Sequence, residues 1–319
     1  TQSISVTLLR GADQIKEMQR FIHHLEKEGL LDRALEYLPD DDELAERTAA
    51  GKGLTRPELA VLNAYGKMVL KDELVTEEIT NDPFHAKELV AAFPKQLQEQ
   101  FAEAMNDHPL KAQIIATKLA NNIVNDMGPN FIYRKQEATG ATVAEIAAAY
   151  IIAREVFESR YIWSEIEKLN NKIPANVQNQ VLFQVRRMVR RATRWFLRHR
   201  NPAFTSIQEH IDFYKKAFND LNKNALDYMN DAERKVIVAR IDELVEQGVP
   251  AKLAQRVGIL STVFSAMDIA EVAAETGQKI PMVAETYFRL GAEIQIHWFL
   301  DQVNKQPVAN HWQALARAA

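Results

Sequence analysis

An all-α, multi-helical chain with no Rossmann sheet is what this sequence predicts, on three observations. Apolar residues recur at helical spacing through nearly every segment, and almost none alternate as a half-buried strand would. Glycine is scarce, 11 in 319 residues, while good helix formers dominate. Breaks in the periodic pattern fall on turn chemistry: Pro39 before the acids Asp40–Glu43, then Asp82-Pro83, Phe93-Pro94, His108-Pro109, Asn201-Pro202, and Gly248 with Pro250.

Taken in order, TQSISVTLL at 1–9 is the exception to helical periodicity and reads as a short extended piece or the tail of an upstream element. Helices are predicted over 12–28 and 41–49, the second with acids at its N-terminus, where negative charge is favoured by about 0.3–1 kcal/mol. The helix over 56–75 starts with a T-x-x-E capping box, Thr55 and Glu58, and carries Pro57 in its first turn, where the missing N–H costs nothing. Further helices follow at 84–92, 94–106, 109–126, 130–138, 143–158, 160–170, 175–199, 206–226, 230–247, 250–264, 267–275, 281–296, 298–305 and 308–319.

An internal echo runs through this order. Thr139-Gly140, Val143, Ile146-Ala147 and Tyr150 recur as Thr276-Gly277, Ile280, Val283-Ala284 and Tyr287, 137 residues later. Phe157, Tyr161 and Ile166 fall on Ile294, Trp298 and Val303 at the same offset. Two similar five-helix units, near 94–170 and 230–306 and joined by 171–229, are therefore expected.

Composition narrows the function classes. With 47% hydrophobic and 26% charged residues the chain is globular rather than disordered. No apolar run approaches the ~20 residues of a membrane span, so no membrane partner is expected. Zero cysteines exclude disulfides and thiolate metal sites and fit a reducing, cytoplasmic setting. A net charge of −4 argues against general polyanion binding. The eight histidines include no H-E-x-x-H and no i, i+4 pair, so no metal site is predicted. The acid pairs Asp40–Glu43 and Glu77-Glu78 read as helix-start charge. The sole G-x-G, Gly51-Lys52-Gly53, leads to Arg56 rather than a third glycine and follows no buried strand, so it is a helix-start turn and not a dinucleotide loop. Predicted catalytic, cofactor-binding and metal residues are none in this segment.

The candidate interaction surface is Arg186, Arg187, Arg190, Arg191, Arg194 and Arg198, followed by Arg200, with no acid between Val181 and Arg200. Val181, Leu182, Val185, Met188, Val189, Ala192, Trp195 and Phe196 form the apolar side of the same helix. Three readings stand: an anion or RNA surface, since guanidinium groups bind phosphates bidentately; pairing with carboxylates such as Asp212, Asp220, Glu243 or Glu246; or docking onto an acidic face of another domain or subunit. Ala273, Gly277 and Val283 also have helix-turn-helix spacing, but the following helix offers Lys279, Glu285 and Thr286, a poor basic footprint for reading bases. A helical nucleic-acid-binding protein using both features is the alternative function.

The wording of Gly53–Leu70, GLTRPELAVLNAYGKMVL, resembles the C-terminal helical region of the large bacterial NAD-dependent glutamate dehydrogenases, which carry a GLTRPELAVLLAYAK-like phrase. Phe21–Pro39, Phe93–Phe101, His108–Pro129, Thr139–Phe157, Ala192–Arg200, Asp268–Gly291 and His311–Arg317 are similar to the same family in the same order. The resemblance implies a parent that deaminates glutamate oxidatively with NAD, its catalytic core upstream and absent here. It implies a homo-oligomeric parent and that core as this segment's partners. Residues 1–50 are expected to be a helical connector and 51–319 the C-terminal helical domain, with an architectural, docking or regulatory role. Thr1 without an initiator methionine and Ala-Ala inside an amphipathic run at the other end lead to the expectation of an excised segment.

Overall fold

The computed structural model describes residues 2–8, 11–76, 79, 81–199, 206–296, 299 and 302. Every regular element among them is helical. In chain order they are α1 (Gln2–Leu8), α2 (Gly11–Lys27), α3 (Asp41–Ala49), α4 (Arg56–Glu73), α5 (Phe84–Val90), α6 (Lys95–Asn106), α7 (Lys111–Met127), α8 (Phe131–Thr139) and α9 (Val143–Val156). Then come α10 (Ser159–Glu167), α11 (Ala175–His199), α12 (Ile207–Asn224), α13 (Asp231–Glu246), α14 (Ala251–Gly258), α15 (Leu260–Val263), α16 (Ala266–Thr276) and α17 (Ile280–Glu293). The chain divides into two compact units, 1–212 and 213–319. Arg200, His297-Trp298 and the expected helix 308–319 lie outside the described residues.

One expectation is overturned at the start. Residues 2–8 are helix α1, not an extended piece. Its β-branched residues are poor helix formers, but Val6 and Thr7 are buried and the helix packs on α4, α7 and α11, so packing overrides local preference. A second correction concerns 250–264, which is not one helix. It breaks after Gly258, and the run from Leu260 bends away by 48°. At the break Gly258 lies against Ile241 of α13, so closely that a Cβ there would sit 2.4 Å from the isoleucine side chain.

In the first unit α2, α3 and the start of α4 share a core built from Ile15, Phe21, Ile22, Leu25, Leu44, Leu59 and Leu62. Cap chemistry sets its corners. Asp40 accepts from the Glu43 N–H at 2.8 Å and starts α3. Asp41 is held by Arg33 and His23, each at 2.9 Å, and the Arg33 hydrogen bond leads the causes that keep its carboxyl well below the usual range. The Thr55–Glu58 capping box forms, with the Thr55 N–H donating to Glu58 at 2.6 Å. Arg47, on α3, reaches the same carboxylate at 2.8 Å, so the start of α4 is tied to the helix before it.

Helix α4 then packs on α7, and its Gly66 lies against Pro129 in the turn that follows α7. A Cβ at this position would meet the Pro129 carbonyl oxygen at 2.9 Å. Gly66→Ala is therefore expected to destabilise the chain by about 1–3 kcal/mol, despite alanine's better helix propensity. Urea denaturation checks this; an unchanged or raised midpoint would show that the neighbouring backbone gives way.

Between the units, two helices repeat in detail. The bounds of α9 and α17 are offset by 137 residues at both ends. Each follows a glycine in the left-handed conformation, Gly140 at φ 69° and Gly277 at φ 68°, closing the helix before it. Each is followed by a non-glycine at positive φ, Glu158 at 51° and Gln295 at 53°, again 137 residues apart. That conformation is uncommon outside glycine.

Candidate interaction surface

Helix α11 organises the first unit. Its 25 residues follow Pro174, and its apolar side is the one the spacing predicts: Val181, Leu182, Val185, Met188, Val189, Ala192, Trp195 and Phe196 are all buried. That side packs on α9 and α10. Burying such side chains contributes roughly 1.5–3 kcal/mol each, which holds α11 in one rotational setting.

The arginines do not act as one set. Arg187, Arg191 and Arg198 are exposed, while Arg190 and Arg194 are half-buried. The Arg194 Nε is enclosed without a hydrogen-bond partner. Arg186 is 7% exposed and points inward. Its Nε donates to the Asp126 carbonyl at 2.7 Å, and its Nη1 donates to the Thr7 hydroxyl at 3.0 Å. The Asp126 carbonyl belongs to the last turn of α7, where free carbonyls carry the negative end of the helix dipole. Arg186 is thus a cap on α7 and a tie to α1. Burial pulls it down to about 10, which leaves it charged at neutral pH. Of the suggested carboxylate partners, Asp212 accepts from Gln208, Asp220 from Asn224 and Tyr228, and Glu243 from Gln247.

Periodicity alone did not reveal the buried polar groups beneath this helix. Arg154, on α9, has a fully buried side chain and bonds Glu88 at 2.9 Å and Glu155 at 2.8 Å. Arg160 reaches Glu88 from the rim at 2.5 Å. Burial works against Glu88's charge, but the two guanidinium groups outweigh it and lower its carboxyl. Tyr150 donates to Asp126 at 2.5 Å. Burial raises the Asp126 carboxyl against the pull of that bond and of Arg154, Arg160 and Arg186. A signal existed in the sequence: Arg154 ends the apolar run from Ile146 to Ala153 and is followed by Val156 and Phe157.

Lys135 on α8 is 7% exposed; its ammonium donates to the Arg190 carbonyl at 3.1 Å and lies 5.9 Å over the Phe131 ring. Burial, then Arg190, Arg194, Arg134 and Arg198, push it down to about 7. Among the described residues no group of three or more His, Asp or Glu side chains is arranged to hold a metal. Two cavities, one beside His85 and one beside Gly66, have volumes of about 30 Å³ each, room for a water. No single described helix is long and apolar enough to cross a membrane. In the helix-turn-helix-like segment Ala273 is buried, Gly277 makes the turn and Val283 is half-buried, but Met282 and Leu290 on the outside of α17 are apolar.

Lys135 gives a pH prediction with a definite sign. The unfolded chain keeps its proton up to the ordinary lysine value of 10.5, while the folded chain releases it above about 7. Between those values the unfolded state binds more protons, so this residue makes stability rise with pH, by at most about 1.4 kcal/mol per pH unit, and contributes no slope well below 7. Urea midpoints at pH 6.5 to 9.5 should show that rise, and Lys135→Met should flatten it. An equal slope in the variant would remove Lys135 as its source.

A family model described as "Glutamate dehydrogenase, C-terminal" matches residues 51–319. Three curated relatives, each named NAD-specific glutamate dehydrogenase, align along the chain. The one from Pseudomonas aeruginosa is 40% identical over 320 residues, covering 100% of this chain and 20% of the relative. That from Halomonas elongata is 39% identical, covering 99% and 20%. That from Mycobacterium tuberculosis is 30% identical, covering 93% and 18%. The chain spans about a fifth of the length of the curated relatives it matches.

Proposed function

Because this chain belongs to the C-terminal family of the NAD-specific glutamate dehydrogenases, we propose that it is the enzyme's architectural helical domain, docking on the catalytic core or a neighbouring subunit. The parent's reaction would be oxidation of L-glutamate to 2-oxoglutarate and ammonia, with NAD as hydride acceptor and its binding site elsewhere in the polypeptide. Homo-oligomers of the parent and a cytoplasmic setting belong to the same reading, the latter supported by the absence of cysteine.

The observation that carries the proposal is the split along α11. One side is sealed into the unit, while Arg187, Arg191 and Arg198 lie on the exposed side. Fixed guanidinium groups suit a protein face bearing carboxylates, where they set register and association rate. The chain's slight net negative charge disfavours loose attraction to a nucleic acid.

Two measurements test this. The isolated chain, supplied with glutamate and NAD, should produce no NADH; turnover in a pure preparation would falsify the non-catalytic assignment. Arg187→Glu, Arg191→Glu and Arg198→Glu together should leave helix content unchanged. They should weaken association with the separately produced remainder of the enzyme by roughly tenfold or more. Unaltered association would move docking to another face. Salt-dependent binding of the unmodified chain to generic DNA or RNA, lost in the triple variant, would replace docking with the nucleic-acid reading.

A further inference from the structure

In the second unit large apolar residues stay exposed at and after the end of α17. Ile294 is 70% exposed and Phe299 55%, beside Leu290 at 49%. Scattered exposed apolar residues are ordinary, but these occupy positions whose counterparts in the first unit are sealed. At the 137-residue offset Ile294 corresponds to Phe157 and Phe299 to Ile162, which are 0% and 1% exposed. The correspondence is conformational as well as sequential, since α9 and α17 share bounds, preceding left-handed glycine and following positive-φ residue.

In the first unit α11 packs on α9 and α10, the helices that flank Phe157 and carry Ile162. It starts directly after Lys172-Ile-Pro174, and Val181 and Leu182 are buried two turns on. The same opening recurs after α17. Lys305-Gln-Pro307 is followed by Val308 to Ala319, with Ala314 and Leu315 where Val181 and Leu182 stand after the first proline. The loop is four residues shorter in the second instance.

We infer that residues 308–319 are the second unit's counterpart of the first turns of α11, and that they dock as a helix over Ile294 and Phe299. Twelve residues of helix span about 18 Å, enough to cross both positions. Val308, Trp312, Leu315 and Ala319 recur at helical spacing and supply the apolar stripe that such a site takes. Met282 lies outside the docked area, because its counterpart, Glu145, stays half-exposed at the surface of the first unit.

The chain has no cysteine, so a single introduced thiol reports its own surroundings. In an Ile294→Cys variant, maleimide labelling should be about tenfold slower in the 319-residue chain than in one ending at residue 302. In a Met282→Cys variant the two lengths should label at the same rate. Should the shortened chain lose structure, Leu315→Asp in the full chain provides the second test and should restore fast labelling at 294. Equal rates at 294 with and without the terminal residues would overturn the inference. So would protection that grows with protein concentration, which would assign these exposed residues to a second copy of the chain.

Discussion

The first unit depends on keeping two guanidinium groups charged where there is almost no water. Arg154 and Arg186 lie on neighbouring helices, and each is answered differently: Arg154 by the carboxylates of Glu88 and Glu155, Arg186 by carbonyl oxygen and a hydroxyl. An unanswered buried charge would cost several kcal/mol, so the elements supplying the answers cannot drift. α1 must bring Thr7, α5 must bring Glu88, and α7 must end where its last carbonyls meet α11. The interior is specific because its polar contacts are directional, whereas its apolar contacts could be satisfied in many ways.

That constraint also explains which parts of the structure were legible in the sequence. The bounds of α11 and its apolar face could be read residue by residue, because one large uninterrupted amphipathic pattern leaves a single solution. The capping box at Thr55 was equally readable, since its two side chains act within one turn. α1 was not, because its helicity comes from burial against distant elements rather than from TQSISVTLL itself. The arginine face was read only in part. Periodicity sorted Arg186 with its neighbours, and only the end of α7, 60 residues away in sequence, draws it inward. Lys135 carried no local signal, because its perturbation comes first from burial and then largely from arginines of α11. Nothing in the 250–264 pattern announces the break after Gly258 or the close approach of Ile241 to it.

Family membership and physical reading support different statements. The alignments tie the whole chain to one enzyme family. The described helices supply a reason why such a segment would be rigid, sealed on one side of α11 and charged on the other. Around α9 and α17 the helix bounds, the preceding left-handed glycine and the following positive-φ residue recur at one 137-residue offset.

The contact at Gly66 has a mechanical meaning. Side chains between two helices act as springs that can change rotamer and absorb displacement. Where α4 meets Pro129 there is almost nothing to compress, because main chain rests nearly on main chain. A load applied to α4 would pass to the turn between α7 and α8 without being dissipated. Any bending of this region must therefore find its pivot elsewhere.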